Sequence, residues 1–216
     1  MAVKAGAVAL MLTIACALAA APARAQDKPV NIVVLGDSLS AGFGLAGEAS
    51  FPSRLSAALK AKGIAANIGN AGVSGDTASG GLERLDWSVG EGTEAVILQL
   101  GANDMLRGLE PDVTRRALDQ IITKLKARNM TVLLCGMRAA PNMGAAYTKA
   151  YDAIFPALAS THQVVFYPFF LDGVAADNTL NQRDGLHPNA AGVDVIVKRI
   201  LPKVEELIAR VRASRS

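Results

Sequence analysis

Short apolar runs recur through this chain, separated by segments of helical periodicity, and that alternation constrains the fold more than any other feature. Residues 30–35, 64–68, 95–98, 131–135 and 164–167 are uncharged and mostly apolar, which suits strands buried on both faces of a sheet. Between two of them, Val113, Ala117, Ile121 and Leu125 repeat every fourth residue beside Leu118 and Ile122. Asp112 stands at the start of this stretch and Lys124, Lys126 and Arg128 near its end, as a helix dipole favours. Similar helices are expected over 51–62, 77–85, 147–160 and 189–212, the last bent at Pro202. The repeated strand–helix order predicts an α/β fold, a three-layer sandwich with about five parallel strands covered by helices on both faces.

The first residues are set apart from this pattern. Lys4 gives a positive start, an uncharged alanine-rich stretch follows, and Ala23-Arg24-Ala25 has the small-x-small form of a cleavage site. Residues 1–25 therefore read as a secretory signal peptide, with a mature chain from Gln26 that is periplasmic or secreted. The alanine richness, Pro22 and the cleavage site argue against an uncleaved membrane anchor, so no stable membrane insertion is expected after cleavage. Residues 26–216 form one expected domain, since no linker, repeat or composition shift divides them, and a monomer is favoured. Removing Lys4 and Arg24 takes the formal net charge from +3 to about +1, which leaves no electrostatic footprint for nucleic acid. Cys135 is then the only cysteine, so no internal disulfide is expected, and no Cys/His spacing matches a metal site. No cofactor is implied.

In an open parallel sheet, ligands bind beyond the carboxyl ends of the strands. The polar residues fall there: Gly36-Asp37-Ser38-Leu39-Ser40, Ser74-Gly75-Asp76-Thr77 and Gly101-Ala102-Asn103-Asp104 follow successive strands, and Asp184-Gly185-Leu186-His187-Pro188 precedes the last helix. A serine needs a base before it is a useful nucleophile, and the chain has two histidines. His162 reads as a cation at a helix end. His187 follows Asp184 by three residues, close enough for the carboxylate to hold one ring nitrogen while the other faces Ser38. The same residues also have structural readings: Asp37, Ser38 and Ser40 as helix caps, Asp184 as an acceptor for loop amides with Pro188 opening a helix, and Gly75 and Asn103 as turn formers.

Taken in order, the four blocks resemble those of the GDSL, or SGNH, hydrolases. Within that family the stretches Asn70-Ala71-Gly72-Val73-Ser74-Gly75-Asp76-Thr77 and Leu100-Gly101-Ala102-Asn103-Asp104-Met105-Leu106-Arg107-Gly108 are most similar to the bacterial periplasmic thioesterase I, lysophospholipase L1 and arylesterase group. The resemblance implies a flavodoxin-like SGNH hydrolase fold, with Ser38 as nucleophile, His187 as general base and then acid, and Asp184 as its orienter. It places the Ser38 N–H, the Gly75 N–H and the Asn103 side-chain amide in an oxyanion hole. Ala102 and Met105 stand where glycines are expected in such relatives.

The implied reaction is hydrolysis of small-molecule acyl esters or thioesters, including aryl esters, acyl-CoA and lysophospholipids. Met105, Leu106, Leu109, Pro141, Met143 and Phe169, with Phe170 and Leu171, are the candidate surface for an acyl chain. The absence of Gly-x-Ser-x-Gly sets aside the α/β-hydrolase elbow. A carbohydrate O-deacetylase of the same chemistry is an alternative, weakened by a single tryptophan, Trp87. A non-catalytic flavodoxin-like binding domain is the other.

Overall fold

The computed structural model describes residues 1–2 and 28–215. Apart from Met1 and Ala2, the proposed signal segment lies outside the described residues, as do its cleavage site and Gln26. The chain runs β1 (Val30–Gly36), α1 (Ser38–Ala41), α2 (Phe51–Ala61), β2 (Ala66–Gly72), α3 (Ala78–Glu83), α4 (Leu85–Ser88) and β3 (Ala95–Gln99). It continues through α5 (Ala102–Leu106), α6 (Pro111–Ala127), β4 (Thr131–Cys135), α7 (Ala145–Asp152), α8 (Ile154–His162), β5 (Val165–Tyr167) and α9 (Ala190–Ser214). All neighbouring strands are parallel, in the order β2-β1-β3-β4-β5. The chain therefore moves outward from β1 to β2 and then returns to the other side of β1, which puts a topological switch point between β1 and β3. There the loops leaving two adjacent strands part in opposite directions and leave a crevice.

Every residue of β3 is fully buried, because it lies mid-sheet with helices on both faces. In α6 the buried stripe is Thr114, Ala117, Leu118, Ile121, Ile122 and Leu125. It begins at Thr114 rather than Val113, because the Thr114 hydroxyl turns inward to donate to Asp104 at 3.0 Å. Helices α2 and α9 contact each other against the sheet, and α6, which contacts both α3 and α8, packs with α8 on β4. Burial of each large aliphatic side chain contributes roughly 1.5–3 kcal/mol.

Three local expectations need correction. The second strand starts at Ala66 instead of residue 64, runs to Gly72 and is only partly buried. It is an edge strand whose register with β1 continues through Asn67, Gly69 and Asn70, and an edge tolerates those polar residues because only one side is paired. The single helix expected over 147–160 is two, α7 and α8, joined at Ala153. Pro156 lacks an N–H and its ring crowds the carbonyl four residues earlier, so the helix restarts there. Pro188 does not open the last helix: Asn189 is the cap, its side chain accepting from the Gly192 N–H at 3.0 Å. That helix is uninterrupted through Pro202, which sits on its exposed side where water can serve the freed carbonyl.

Candidate active site

β1 ends at Gly36, and the chain turns at once into the four-residue α1. A Cβ at Gly36 would land on the Ser40 hydroxyl and the Gln99 amide oxygen, so only glycine lets this turn approach β3. Asp37 caps α1, its Oδ1 accepting from the Leu39 N–H at 2.9 Å. Ser40 donates to Gln99 Oε1 at 2.6 Å, which ties the ends of β1 and β3 together. Between these fixed residues Ser38 reaches the surface with 8% exposure. Burial pushes the Asp37 carboxyl up to about 7, and its Oδ2 has no hydrogen-bond partner among the described residues.

His187 arrives from a loop held at both ends. Its carbonyl accepts from the Gln182 N–H at 2.7 Å, and the Gln182 side-chain amide donates to Phe43 O at 2.7 Å and Pro188 O at 3.0 Å. Asp184 Oδ1 accepts the N–H groups of Leu186 and His187 at 2.9 and 3.0 Å, while Oδ2 lies 2.7 Å from His187 Nδ1. These hydrogen bonds hold the Asp184 carboxyl down to about 2. Asp184 thus contacts the loop amides with one oxygen and the imidazole with the other. The other ring nitrogen, Nε2, is 2.9 Å from Ser38 Oγ. A carboxylate at Nδ1 places the proton there and leaves Nε2 free to accept from the serine hydroxyl. The Phe43 ring, 4.6 Å from the imidazole centroid and tilted by 38°, covers one side of the ring.

The remaining blocks meet beside Ser38. Gly75 has φ +84°, a conformation that favours glycine. Its carbonyl accepts from Arg107 at 2.6 Å, and neither its N–H nor that of Ser38 has a hydrogen-bond partner among the described residues. Asn103 Nδ2 donates one hydrogen to Asp76 O at 2.9 Å, leaving a second, and the side chain borders the same cleft as Ser38 and His187. Gly75 does not line that cleft. Asp104 is buried beneath it, accepting from the Ala78 N–H at 2.9 Å and from Thr114; burial raises its pKa.

Arg84, which sequence reasoning missed, staples this region. Its Nε pairs with Asp76 Oδ2 at 2.5 Å, and its other nitrogens donate to Ala71 O and Gly36 O, both at 2.8 Å, and to Ser88 Oγ at 3.0 Å. One side chain thus joins the ends of β1 and β2 to the Ser74–Thr77 block. Both charged side chains are largely buried, so removing one strands the other. Arg84→Ala is expected to lower stability by about 3–5 kcal/mol, read from urea unfolding. A change under about 0.5 kcal/mol, usual for surface substitutions, would show the staple to be dispensable.

A cleft of about 380 Å³ opens from Ser38 and His187. Of the expected acyl-binding residues it takes Met105, Leu106, Pro141, Phe169 and Leu171. Leu109, Met143 and Phe170 are not in its lining. Phe170 is fully buried edge-on against Phe51, at 5.1 Å between centroids, and Met143 packs on the core. Leu109 is half-buried, with its carbonyl accepting from the Tyr147 hydroxyl. Met137, Ala139, Ala140, Ala175, Ala176 and Leu186 line the cleft and were missed. Leu186 was legible as the apolar residue of the His187 block; the alanines carry no local signal. His162, the last residue of α8, lies outside the cleft and pairs with Asp119 at 2.6 Å. Among the described residues no cluster of potential ligands suits a metal ion, and no helix is long and apolar enough to cross a membrane.

Residues 34–195 match the model of the GDSL-like lipase/acylhydrolase family. The chain is 34% identical to esterase TesA of Pseudomonas aeruginosa over 85% of its own length and 92% of that protein. It is 35% identical to the thioesterase 1/protease 1/lysophospholipase L1 of Escherichia coli, over 82% of this chain and 85% of that one. Among solved structures it resembles AlinE4, an SGNH-hydrolase family esterase, with 42% identity, a TM-score of 0.71, and coverage of 83% of this chain and 96% of that one.

Proposed function

From the premise that the chain belongs to the GDSL-like lipase/acylhydrolase family and is an esterase/thioesterase-type hydrolase, we propose that Ser38, His187 and Asp184 form a catalytic triad cleaving acyl esters and thioesters. The observation that carries this reading is one imidazole spanning two groups, Asp184 Oδ2 at 2.7 Å from Nδ1 and Ser38 Oγ at 2.9 Å from Nε2. His187 removes the Ser38 proton as Oγ attacks the carbonyl carbon. The resulting tetrahedral oxyanion accepts from the Ser38 N–H, the Gly75 N–H and the uncommitted Asn103 Nδ2 hydrogen, each such donor being worth roughly 2.7–4 kcal/mol of transition-state stabilisation. Collapse expels the alcohol or thiol, protonated by His187, and leaves the acyl group on Ser38. Water, deprotonated by His187, then attacks the acyl carbon; the bond to Ser38 Oγ breaks, His187 returns the proton to Oγ, and the carboxylic acid leaves. Asp184 stays ionised throughout and holds the ring in its productive tautomer.

The apolar cleft favours an acyl chain, each methylene removed from water contributing up to about 0.8 kcal/mol. Aryl esters, acyl-CoA and lysophospholipids fit because the hole holds the carbonyl oxygen and not the leaving atom. Export by a signal at residues 1–25, a mature monomer from Gln26 and a periplasmic or secreted location complete the proposal.

A fluorophosphonate is the direct test. It should modify one serine in the folded protein, found by peptide mapping at Ser38, and Ser38→Ala should abolish both the label and hydrolysis of p-nitrophenyl esters. Undiminished labelling in that variant would reject the assignment.

A further inference from the structure

Apart from the reacting groups, the cleft contains one charge. Arg138, exposed on the segment leaving β4, is the only Arg, Lys, Asp or Glu among its described lining residues. Its guanidinium carbon sits 5.0 Å from the centroid of the Phe169 ring, itself part of the lining. Among the described residues Arg138 makes no hydrogen bond or ion pair. The Asp152 carboxylate, which approaches the same segment, accepts from the Ala139 N–H at 2.8 Å instead. Stacking on an aromatic face restrains the planar fork while leaving its N–H groups free, which reduces the freedom lost when an anion docks. A saturated acyl chain uses none of those donors.

We propose that Arg138 is a specificity-determining residue that binds an anionic group, a phosphate or a carboxylate, carried by the ester. This deepens the assignment of Ser38 and His187 and rests on it. A guanidinium suits either anion because two parallel N–H groups match two oxygens. The chemistry leaves two placements for the anion, on the leaving alcohol or at the far end of the acyl chain.

Two matched substrate pairs separate them, assayed with the wild-type protein, Arg138→Gln and Arg138→Lys. Monooctanoylglycerol phosphate and monooctanoylglycerol differ only by a phosphate on the leaving alcohol; the p-nitrophenyl monoester of adipic acid and p-nitrophenyl hexanoate differ only at the acyl end. In at least one pair, the anionic-to-neutral ratio of kcat/KM should fall by about tenfold in Arg138→Gln, chiefly through KM. Arg138→Lys should restore part of it, and added salt should lower the ratio in wild type but not in Arg138→Gln. The responding pair identifies where the anion sits. Ratios unchanged in both pairs, or equal losses on both members of each pair, would overturn the proposal and leave Arg138 a packing partner of Phe169. Hydrolysis that survives Ser38→Ala would overturn the catalytic assignment, and this proposal with it, and is distinguishable because it appears in a different variant.

Discussion

His187→Ala is expected to reduce kcat for p-nitrophenyl esters by about 10⁶-fold, the scale seen when the base of a serine triad is removed. The size follows from the geometry: in the proposed mechanism Nε2, 2.9 Å from Ser38 Oγ, takes the proton, and among the described residues no other titratable side chain is hydrogen-bonded to that hydroxyl. His162, the other histidine, is committed to Asp119 and lies outside the cleft. A residual rate above the uncatalysed reaction should survive, because the backbone and Asn103 donors do not depend on the imidazole. Stopped-flow or steady-state assays on protein with an unchanged circular dichroism spectrum would measure it. A loss smaller than tenfold would mean that Ser38 is activated by something else.

Asp184→Asn is expected to lower kcat by about 10⁴-fold while leaving the protein folded. Asparagine keeps an oxygen for the Leu186 and His187 N–H groups, but its NH₂ replaces Oδ2 opposite Nδ1. Two donors then face each other, and the imidazole is driven toward the tautomer with its proton on Nε2, where it cannot accept from Ser38. Protonation of Asp184 itself does not limit the wild type near neutral pH. The Asp184 carboxyl is depressed to about 2, below the ~3.9 of an unfolded aspartate, so its contacts contribute fully above the unfolded value and are lost only as pH falls through about 2. Activity lost on mild acidification, well above that range, therefore cannot come from protonating Asp184. Because the Asp184 side chain is 38% exposed, the substitution should move the urea midpoint little. Wild-type turnover in Asp184→Asn would reduce the carboxylate to a staple for its own loop.

Much of the architecture was legible because it rests on short-range regularities. The sheet could be read from apolar runs, and the expected strand at 131–135 coincides with β4. α6 could be read from its four-residue repeat. Pro156, which splits the helix expected over 147–160, and Asn189, which caps the last helix in place of Pro188, are local signals that a closer reading could have caught. Two other errors arose where a neighbour outside the window decided the outcome. The apolar run at 64–68 did not show that β2 is an edge strand extended by its register with β1. The repeat at Val113 did not show that Thr114 would turn inward to meet Asp104.

The same division holds at the candidate site. The order of the four polar blocks, the three-residue spacing of Asp184 and His187, and the glycines at 36 and 75 are properties of the chain itself: a turn of a few residues, or a backbone with no Cβ, is encoded locally. Which distant segments touch is not. The approach of Nε2 to Ser38 across 149 residues of sequence, the Arg84 staple, Phe43 against the imidazole and Arg138 on Phe169 exist only because the sheet order brings separate loops to one edge. Leu109, Met143 and Phe170 are as apolar as the residues that line the cleft. Their side chains turn elsewhere because close packing, which depends on every neighbouring element at once, had already placed them.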